Sequence, residues 1–286
     1  PNFVSSFADD TSVYFWFRET AAEYTDHGRQ IYGRVARVCK GDQGSITAKK
    51  SQQREFGTWT TFLKARLNCS MPGDIPFYFN ELQATTQIIS GLYGPTAEPS
   101  SIVYAVFSTP YTGMQASAIC AYRLQDVQRI FNKGAFKHQP DSKSLWQPIS
   151  KSYRTGNCDL NSEAISDDMA NFVQKNSLMH EAVPNFFGEP IFVDTNLKSQ
   201  MTQVVVHKAK TVDGAVYDVL FVGTSDGRVL KLVNCQQNSR SNIVSTVFID
   251  SVRLFPNRAA VQNLLVYDRG EFRDLKFMQK DDKSNY

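Results

Sequence analysis

Short, strand-like apolar segments separated by turn residues recur along the chain, and no other feature constrains its fold as strongly. The two clearest are Val216–Thr224 and Arg228–Val233, which are joined by Ser225-Asp226-Gly227. An Asp-Gly turn between two apolar runs is a strong signal for a β-hairpin. Further runs rich in Val, Ile, Tyr, Phe and Thr are Ser12–Thr20, Arg34–Cys39, Trp59–Leu67, Ser101–Thr109, Ala116–Leu124, Gln203–Lys208, Thr246–Phe255, Gln262–Tyr267 and Asp274–Met278. The pattern predicts an all-β protein.

One type of fully apolar strand returns at a regular interval. It lies at Val13, Phe62, Val103, Val216 and Leu264. Apart from one long interval, these positions are about 40 to 50 residues apart, which is the length of a propeller blade. The spacing therefore predicts a β-propeller, and the long interval predicts one more blade together with an insertion.

The predicted insertion differs in composition from the strands around it. A short helix is expected over Gln125–Phe131, with Val127, Ile130 and Phe131 on one face, and a second helix is expected to begin at Ser166-Asp167-Asp168. The predicted organisation is propeller blades over 1–124, the helical insertion over 125–193, and further blades over 194–286.

Composition and motifs argue against several classes of function. The 286 residues carry a net charge of +3 and no dense block of Lys or Arg, so we expect no nucleic-acid partner. The four histidines have no paired metal-ligand spacing, and no nucleophile elbow, P-loop or dinucleotide motif is present. We therefore expect no enzymatic activity, no small-molecule substrate, no cofactor and no metal. The chain also lacks an apolar run of about 18 residues, the length that predicts a membrane-spanning helix.

The five cysteines are widely and irregularly spaced. They are Cys39, Cys69, Cys120, Cys158 and Cys235, and no two of them have the spacing of a zinc site or a redox dithiol. The spacing allows two interpretations: buried cytosolic thiols, or two long-range disulfides and one odd cysteine. Asn68-Cys69-Ser70 is an acceptor sequence for N-glycosylation, which matters only in a secreted protein.

Six motifs follow one another in order over nearly the whole chain. They are VYFWFRE from Val13, RVARVCKGD from Arg34, WTTFLKARLNCS from Trp59, FNELQ from Phe79, SAICAY from Ser117 and YDVLFVGT from Tyr217, the last followed by Asp226-Gly227 and Val229-Leu230-Lys231. Each motif is moderately specific by itself, and the ordered series is very specific. In this series the chain resembles the semaphorin family.

This resemblance implies a sema-type, seven-bladed β-propeller with a helical extrusion inserted in it, of which the chain holds roughly four blades. The family's disulfides, carried over to matching positions, pair Cys39 with Cys158 and Cys69 with Cys120. Asn68 is then a candidate glycosylation site. Cys235 has no implied partner within the chain.

The resemblance also implies an extracellular guidance or signalling ligand that binds a plexin receptor and forms a homodimer, with a role in axon guidance and cell migration. In the family a basic residue on the extrusion helix is part of the receptor contact; here Gln174 occupies that position and Lys175 lies next to it, so both are candidate receptor-binding residues. Tyr24, Asp26 and His27 match a loop of the family's dimer interface. The ligand is either secreted or the ectodomain of a single-pass plasma-membrane protein. The alternatives are the sema domain of a receptor such as a plexin, and a propeller enzyme.

Overall fold

The structure, a computed structural model, describes most of the chain. The described residues are 1–24, 28–42, 44, 59–93, 98–149, 158, 167–195, 199–212, 214–235, 245–255, 257–268 and 273–278. The chain divides into two compact units, the first made of Pro1–Leu67 and Gln125–Val183, and the second of Asn68–Leu124 and Pro184–Tyr286. The secondary structure is mostly β, as the sequence predicts.

The first unit is built on an antiparallel sheet with the order β1-β2-β3-β4. Its strands are Asn2–Ala8 (β1), Ser12–Thr20 (β2), Ile31–Cys39 (β3) and Leu63–Arg66 (β4). Nearly every residue of β3 is buried, including Arg34 and Arg37, so the strand is covered on both faces and its sequence does not alternate between apolar and solvated positions. Trp59–Leu67 was predicted as one strand, but only its second half pairs with β3.

One helix packs against this sheet through the face that the sequence predicts. Helix α1 spans Leu124–Lys133 and buries Val127, Ile130 and Phe131. The buried guanidinium of Arg37 on β3 lies 5.1 Å from the ring centre of Phe131, and its Nη1 donates a 2.7 Å hydrogen bond to Asn132. The remaining elements of the unit are the ribbon Phe136–His138 (β11) and Gln147–Ile149 (β12), and the helix Asp167–Lys175 (α2).

The second unit contains a five-stranded and a four-stranded antiparallel sheet. In the first, Phe192–Asp194 (β13), Ser117–Arg123 (β10), Glu98–Ser108 (β9) and Glu81–Thr85 (β7) follow one another, and Ile89–Tyr93 (β8) also pairs with β9. The second has the order Met201–Lys210 (β14), Val216–Thr224 (β15), Arg228–Asn234 (β16) and Thr246–Arg253 (β17). Two short ribbons complete the unit: Ser70–Met71 (β5) with Phe77–Tyr78 (β6), and Asn263–Asp268 (β18) with Arg273–Met278 (β19).

The two larger sheets of the second unit share one apolar core. Ile102 and Val106 of β9 belong to the same buried cluster as Val204 of β14 and Leu220 and Val222 of β15. Burying each such side chain stabilises the fold by about 1.5–3 kcal/mol. Strands covered on both faces are expected where one propeller blade packs on the next, which explains the fully apolar sequence of Val103–Phe107.

The predicted hairpin is formed by β15 and β16. Its turn, Ser225–Gly227, ends in Gly227 with φ of +80°, a conformation that L side chains rarely adopt. The hydroxyl group of Thr224 donates to Asp226 at 2.7 Å and accepts the backbone amide of Arg228 at 3.0 Å, which closes the turn.

The predicted domain boundaries remain a prediction. Residues 125–183 group with 1–67, whereas 184–193 group with the second unit, and β13 pairs there with β10.

Candidate functional site

Helix α2 presents the two candidate receptor-binding residues to solvent. Gln174 and Lys175 occupy its last two positions and are exposed, whereas Val173 is buried. The ring of Phe172 meets the ring of Phe136 on β11 edge to face, at a centroid distance of 5.1 Å. The apolar side of the helix is thereby attached to the β11–β12 ribbon, and its polar side is left available for a partner.

Asn176 ends the helix and fixes where its exposed residues lie. Its backbone amide and its side-chain Nδ2 both donate to the carbonyl oxygen of Phe172, each at 2.9 Å. Its Oδ1 lies 2.6 Å from Nδ1 of His138 on β11. Because Oδ1 is an acceptor, Nδ1 carries the proton in this contact. The pair connects the end of α2 to the ribbon and supplies a partner for the buried Asn176 amide.

The segment that follows α2 acts as an additional strand between β4 and β11. Lys64 of β4 donates its amide to the carbonyl of Ser177 and accepts the amide of Met179, both at 2.8 Å. On the other side, Lys137 of β11 donates to the carbonyl of Leu178 at 2.7 Å. The helix and the ribbon are therefore continuous, through main-chain hydrogen bonds, with the sheet of the first unit.

Two disulfides lie in the positions that the semaphorin resemblance implies. Cys39, at the end of β3, is bonded to Cys158, with Cα atoms 5.0 Å apart. In the second unit Cys69 is bonded to Cys120, with Cα atoms 5.8 Å apart. Disulfides that close loops this long restrict the unfolded chain strongly. Cys235 is half-buried and has a free thiol.

A buried ion-pair network supports the base of the candidate dimer loop. Arg34 on β3 donates from Nε to Glu19 at 2.6 Å and from Nη2 to Glu23 at 2.7 Å. Burial raises the pKa of Glu23, but the hydrogen bond and the charge of Arg34 outweigh it, so the pKa lies below its usual value. Tyr24 follows Glu23 and is half-buried. Asp26 and His27 lie outside the described residues.

Asn68, the candidate glycosylation site, lies between β4 and β5 and is half-buried. Its backbone carbonyl accepts a 3.1 Å hydrogen bond from the hydroxyl of Tyr122, next to the disulfide of Cys69. The segment Asn68–Cys69 is therefore held by this hydrogen bond and by the disulfide.

His138 and Asn176 were not identified from the sequence, although they position the candidate surface. An Asn directly after a predicted helix is a recognised stop signal and could have suggested Asn176. No local signal marks His138, because its partner lies far away in the sequence.

In the described part of the chain, no group of three or more His, Cys, Asp or Glu side chains is arranged to hold a metal ion. The helices described there are all too short or too polar to cross a membrane.

Comparison with known families decides the assignment of the chain. The model of the Sema domain matches residues 83–268. The chain belongs to the Sema domain family. Its fold is therefore the all-β fold of a sema propeller, and the described sheets correspond to part of it.

Individual semaphorins are similar to this sema domain over most of its length. Semaphorin-1A of Drosophila melanogaster is 43% identical over 92% of the chain, which spans 29% of that protein. The structure of Drosophila Semaphorin 1a, extracellular domains 1–2, has a TM-score of 0.81 and 42% identity, covering 93% of this chain and 52% of that one. A structure of Drosophila Plexin A in complex with Semaphorin 1b matches with a TM-score of 0.80 and 37% identity, covering 92% of this chain and 51% of that one.

The extracellular region of Plexin A4 is a more distant match. It has a TM-score of 0.60 and 16% identity, covering 97% of this chain and 26% of that one. At this identity the likeness is one of fold alone.

Proposed function

We propose that this chain is part of a semaphorin-type signalling ligand that binds a plexin receptor and has no catalytic role. The observation that carries the proposal is the similarity to a chain in the complex of Plexin A with Semaphorin 1b, at 37% identity over 92% of the chain. The cellular role that follows for the parent protein is guidance of axons and migrating cells.

The proposed receptor contact includes the exposed end of α2. Gln174 and Lys175 are free of the packing that holds Phe172 and Val173, so a partner can reach them without disturbing the fold. Lys175 also lies in the last helical turn, where a positive charge is compatible with the helix dipole. A receptor surface with acidic side chains would complement it.

The proposed homodimer uses the loop that contains Tyr24, Asp26 and His27. The Arg34–Glu23 ion pair holds the chain immediately before this loop. A dimeric ligand engages two receptors, and the second contact then forms at high effective concentration. Weak individual contacts are thus sufficient for signalling.

An extracellular location is proposed for the same parent protein. The disulfides Cys39–Cys158 and Cys69–Cys120 are of a kind that persists in oxidising compartments. N-glycosylation at Asn68 is proposed as well, and intact-mass analysis before and after enzymatic removal of N-glycans tests it, with Asn68→Gln as the control.

The alternative is that the chain comes from a receptor with its own sema domain. Its 16% identity to Plexin A4, against 42% to Semaphorin 1a, favours the ligand.

Surface plasmon resonance with the ectodomain that contains this chain tests the proposal against each plexin ectodomain of the same organism. We expect saturable binding that is weakened about tenfold by Lys175→Glu, because reversing one interface charge replaces attraction with repulsion. Lys143→Glu, an exposed change on the β11–β12 turn, is the matched control. Binding indifferent to Lys175 would move the contact elsewhere on the sema domain. A folded ectodomain that binds no plexin would contradict the proposed function.

A further inference from the structure

The β5–β6 ribbon of the second unit exposes apolar side chains although its base is buried. At the base, the amide of Phe79 donates to the carbonyl of Cys69 at 2.8 Å, and both residues are 1% exposed. Four apolar side chains of the ribbon and its connecting loop are exposed: Met71, Ile75, Phe77 and Tyr78. Exposed apolar side chains grouped in this way mark a surface that another group covers.

The antiparallel register divides the ribbon into two faces. Ser70 of β5 pairs directly with Tyr78 of β6. Because successive side chains of an extended chain point to opposite faces, Asn68 lies on the same face as Ser70 and Tyr78. Phe77 lies on the other face, where its ring meets that of Phe79 edge to face at a centroid distance of 5.1 Å. Tyr78 is therefore the aromatic side chain of the ribbon on the face that carries Asn68.

Asn68 begins this face from a fixed position. Its side-chain Oδ1 is buried while the residue as a whole is half-buried, which leaves Nδ2, the atom that an N-glycan modifies, on the solvent side. The hydrogen bond from Tyr122 to its carbonyl and the disulfide Cys69–Cys120 hold the backbone on either side of this residue. A sugar attached here loses little further freedom when it packs on a neighbouring side chain.

We propose that the N-glycan of Asn68 packs on the ring of Tyr78 and covers this face of the ribbon with its innermost N-acetylglucosamine. The inference rests on the glycosylation of Asn68 proposed above. Tyr78 is the diagonal neighbour of Asn68 across the ladder, a separation of about 7–8 Å that long side chains bridge. The C–H face of a pyranose ring suits the electron-rich face of tyrosine. A bulky glycan anchored beside Tyr78 also keeps a protein partner away from this face.

Crystals of the glycosylated ectodomain that contains this chain, trimmed enzymatically to a single N-acetylglucosamine at each site, test the contact directly. We expect the sugar ring to lie within about 4 Å of the ring of Tyr78. A sugar directed into solvent, or packed on the Phe77 face, would overturn the proposal. If intact-mass analysis finds no glycan on Asn68, the glycosylation itself is wrong, and the packing on Tyr78 with it.

Hydrogen exchange of the ribbon amides gives an independent readout in solution. Asn68→Gln, which cannot carry the glycan, is expected to exchange about fivefold faster than the trimmed wild type, because the contact between sugar and ring no longer stabilises the ribbon. In a Tyr78→Ala background, Asn68→Gln should have no further effect, since the contact is already absent.

Two further substitutions separate the ring of Tyr78 from other causes. Tyr78→Phe keeps the ring without its hydroxyl group and should show the wild-type response to loss of the glycan. Phe77→Ala removes a ring from the opposite face and should also keep that response, although it lowers the stability of the ribbon itself. If Tyr78→Ala responds to loss of the glycan as strongly as Phe77→Ala does, the glycan does not act through Tyr78 and the proposal is wrong.

Discussion

The hydroxyl group of Tyr104 donates a 2.8 Å hydrogen bond to the carboxylate of Asp218, and both side chains are completely buried. Tyr93 donates to the same oxygen at 2.6 Å, and Lys208 lies 3.3 Å from the other. Asn234 in turn donates to the hydroxyl of Tyr104 at 2.8 Å. Tyr93 and Tyr104 belong to the five-stranded sheet of the second unit, and Asp218 and Asn234 belong to its four-stranded sheet. The hydrogen bonds therefore join the two sheets through specific residue pairs, in addition to their apolar packing.

Tyr104→Phe is expected to lower the free energy of unfolding by about 1–3 kcal/mol, because it removes one donor to a buried carboxylate and also the hydrogen bond that Asn234 donates to the hydroxyl group. Chemical denaturation measures the change. Tyr111→Phe is the control, since Tyr111 is 74% exposed and should give no measurable difference. An equal effect of the two substitutions would contradict a role for the network.

Because of Tyr104, the free energy of unfolding is also expected to fall at high pH. Burial and then the charge of Asp218 raise the pKa of Tyr104 well above its usual value of 10.0. A folded-state pKa above the unfolded one stabilises the fold at lower pH, and this contribution is lost as the pH rises past about 10. The free energy of unfolding, measured between pH 8 and pH 11, should therefore fall less steeply in Tyr104→Phe than in the wild type.

Asp42 is expected to make the fold sensitive to acid. Burial raises its pKa, but hydrogen bonds from Thr61, Gly44 and Thr60 outweigh that effect and hold the pKa below 3.8. Stability from this group is present above about pH 4 and is lost as the pH falls through the folded-state pKa. Asp42→Asn should cost about 1–2 kcal/mol at pH 7 and reduce the change in stability between pH 5 and pH 2.

Asp141→Asn is the matched control for Asp42. The pKa of Asp141 is also lowered, by hydrogen bonds from Ser144 and Lys143, but the group is fully exposed. Its substitution should change the pH profile of unfolding less than Asp42→Asn does, because solvent screens interactions of an exposed carboxylate. A profile altered as strongly as that of Asp42→Asn would show that burial has no part in the effect.

Gly227→Ala is expected to destabilise the β15–β16 hairpin by more than 1 kcal/mol, since alanine at φ of +80° is strained and its Cβ would lie 2.7 Å from the carbonyl oxygen of Ala259. Gly214→Ala separates the two causes. Gly214 has φ of +87°, but the nearest atom to its added Cβ is 3.9 Å away. Thermal unfolding should show a larger loss for Gly227→Ala, and equal losses would mean that the close contact relaxes without cost.

His138→Leu is expected to loosen the last turn of α2, because the Oδ1 atom of buried Asn176 loses its donor. Hydrogen exchange of the amides around Val173 should accelerate about fivefold or more, as expected for the loss of a hydrogen bond of about 1 kcal/mol. His180→Leu provides the comparison, since His180 is exposed and contributes its backbone amide to the ribbon. Unchanged exchange in His138→Leu would remove this residue from any role in positioning Lys175.

The local elements of the fold are predictable where apolar pattern and turn chemistry agree. Ser12–Thr20 and Val216–Thr224 were predicted with the bounds that the structure has, and the helix predicted over Gln125–Phe131 extends by one residue at its start and two at its end. Trp59–Leu67 was predicted too long, because Thr60 and Thr61 direct their amides and hydroxyl groups to Asp42 instead of to a neighbouring strand.

The contacts that shape the candidate site are not visible in local sequence. In the sequence Arg34 is a charged residue within a strand-like segment, and nothing local identifies its partners. Only the fold brings Glu19 and Glu23 to it. The strand-like segment after α2 is equally hidden, since its pairing with β4 spans more than a hundred residues. Resemblance to semaphorins supplied the disulfide pairs, which spacing alone left undecided.

The pairing of residues 177–183 with β4 and β11 has a consequence for how this surface can change. Main-chain amides and carbonyls hold the segment, and these groups are the same whatever side chains they carry. The end of α2 leads into this segment, so substitutions at the exposed positions Gln174 and Lys175 leave the main-chain pairing intact. Side chains on this surface can therefore change without lowering the stability of the first unit.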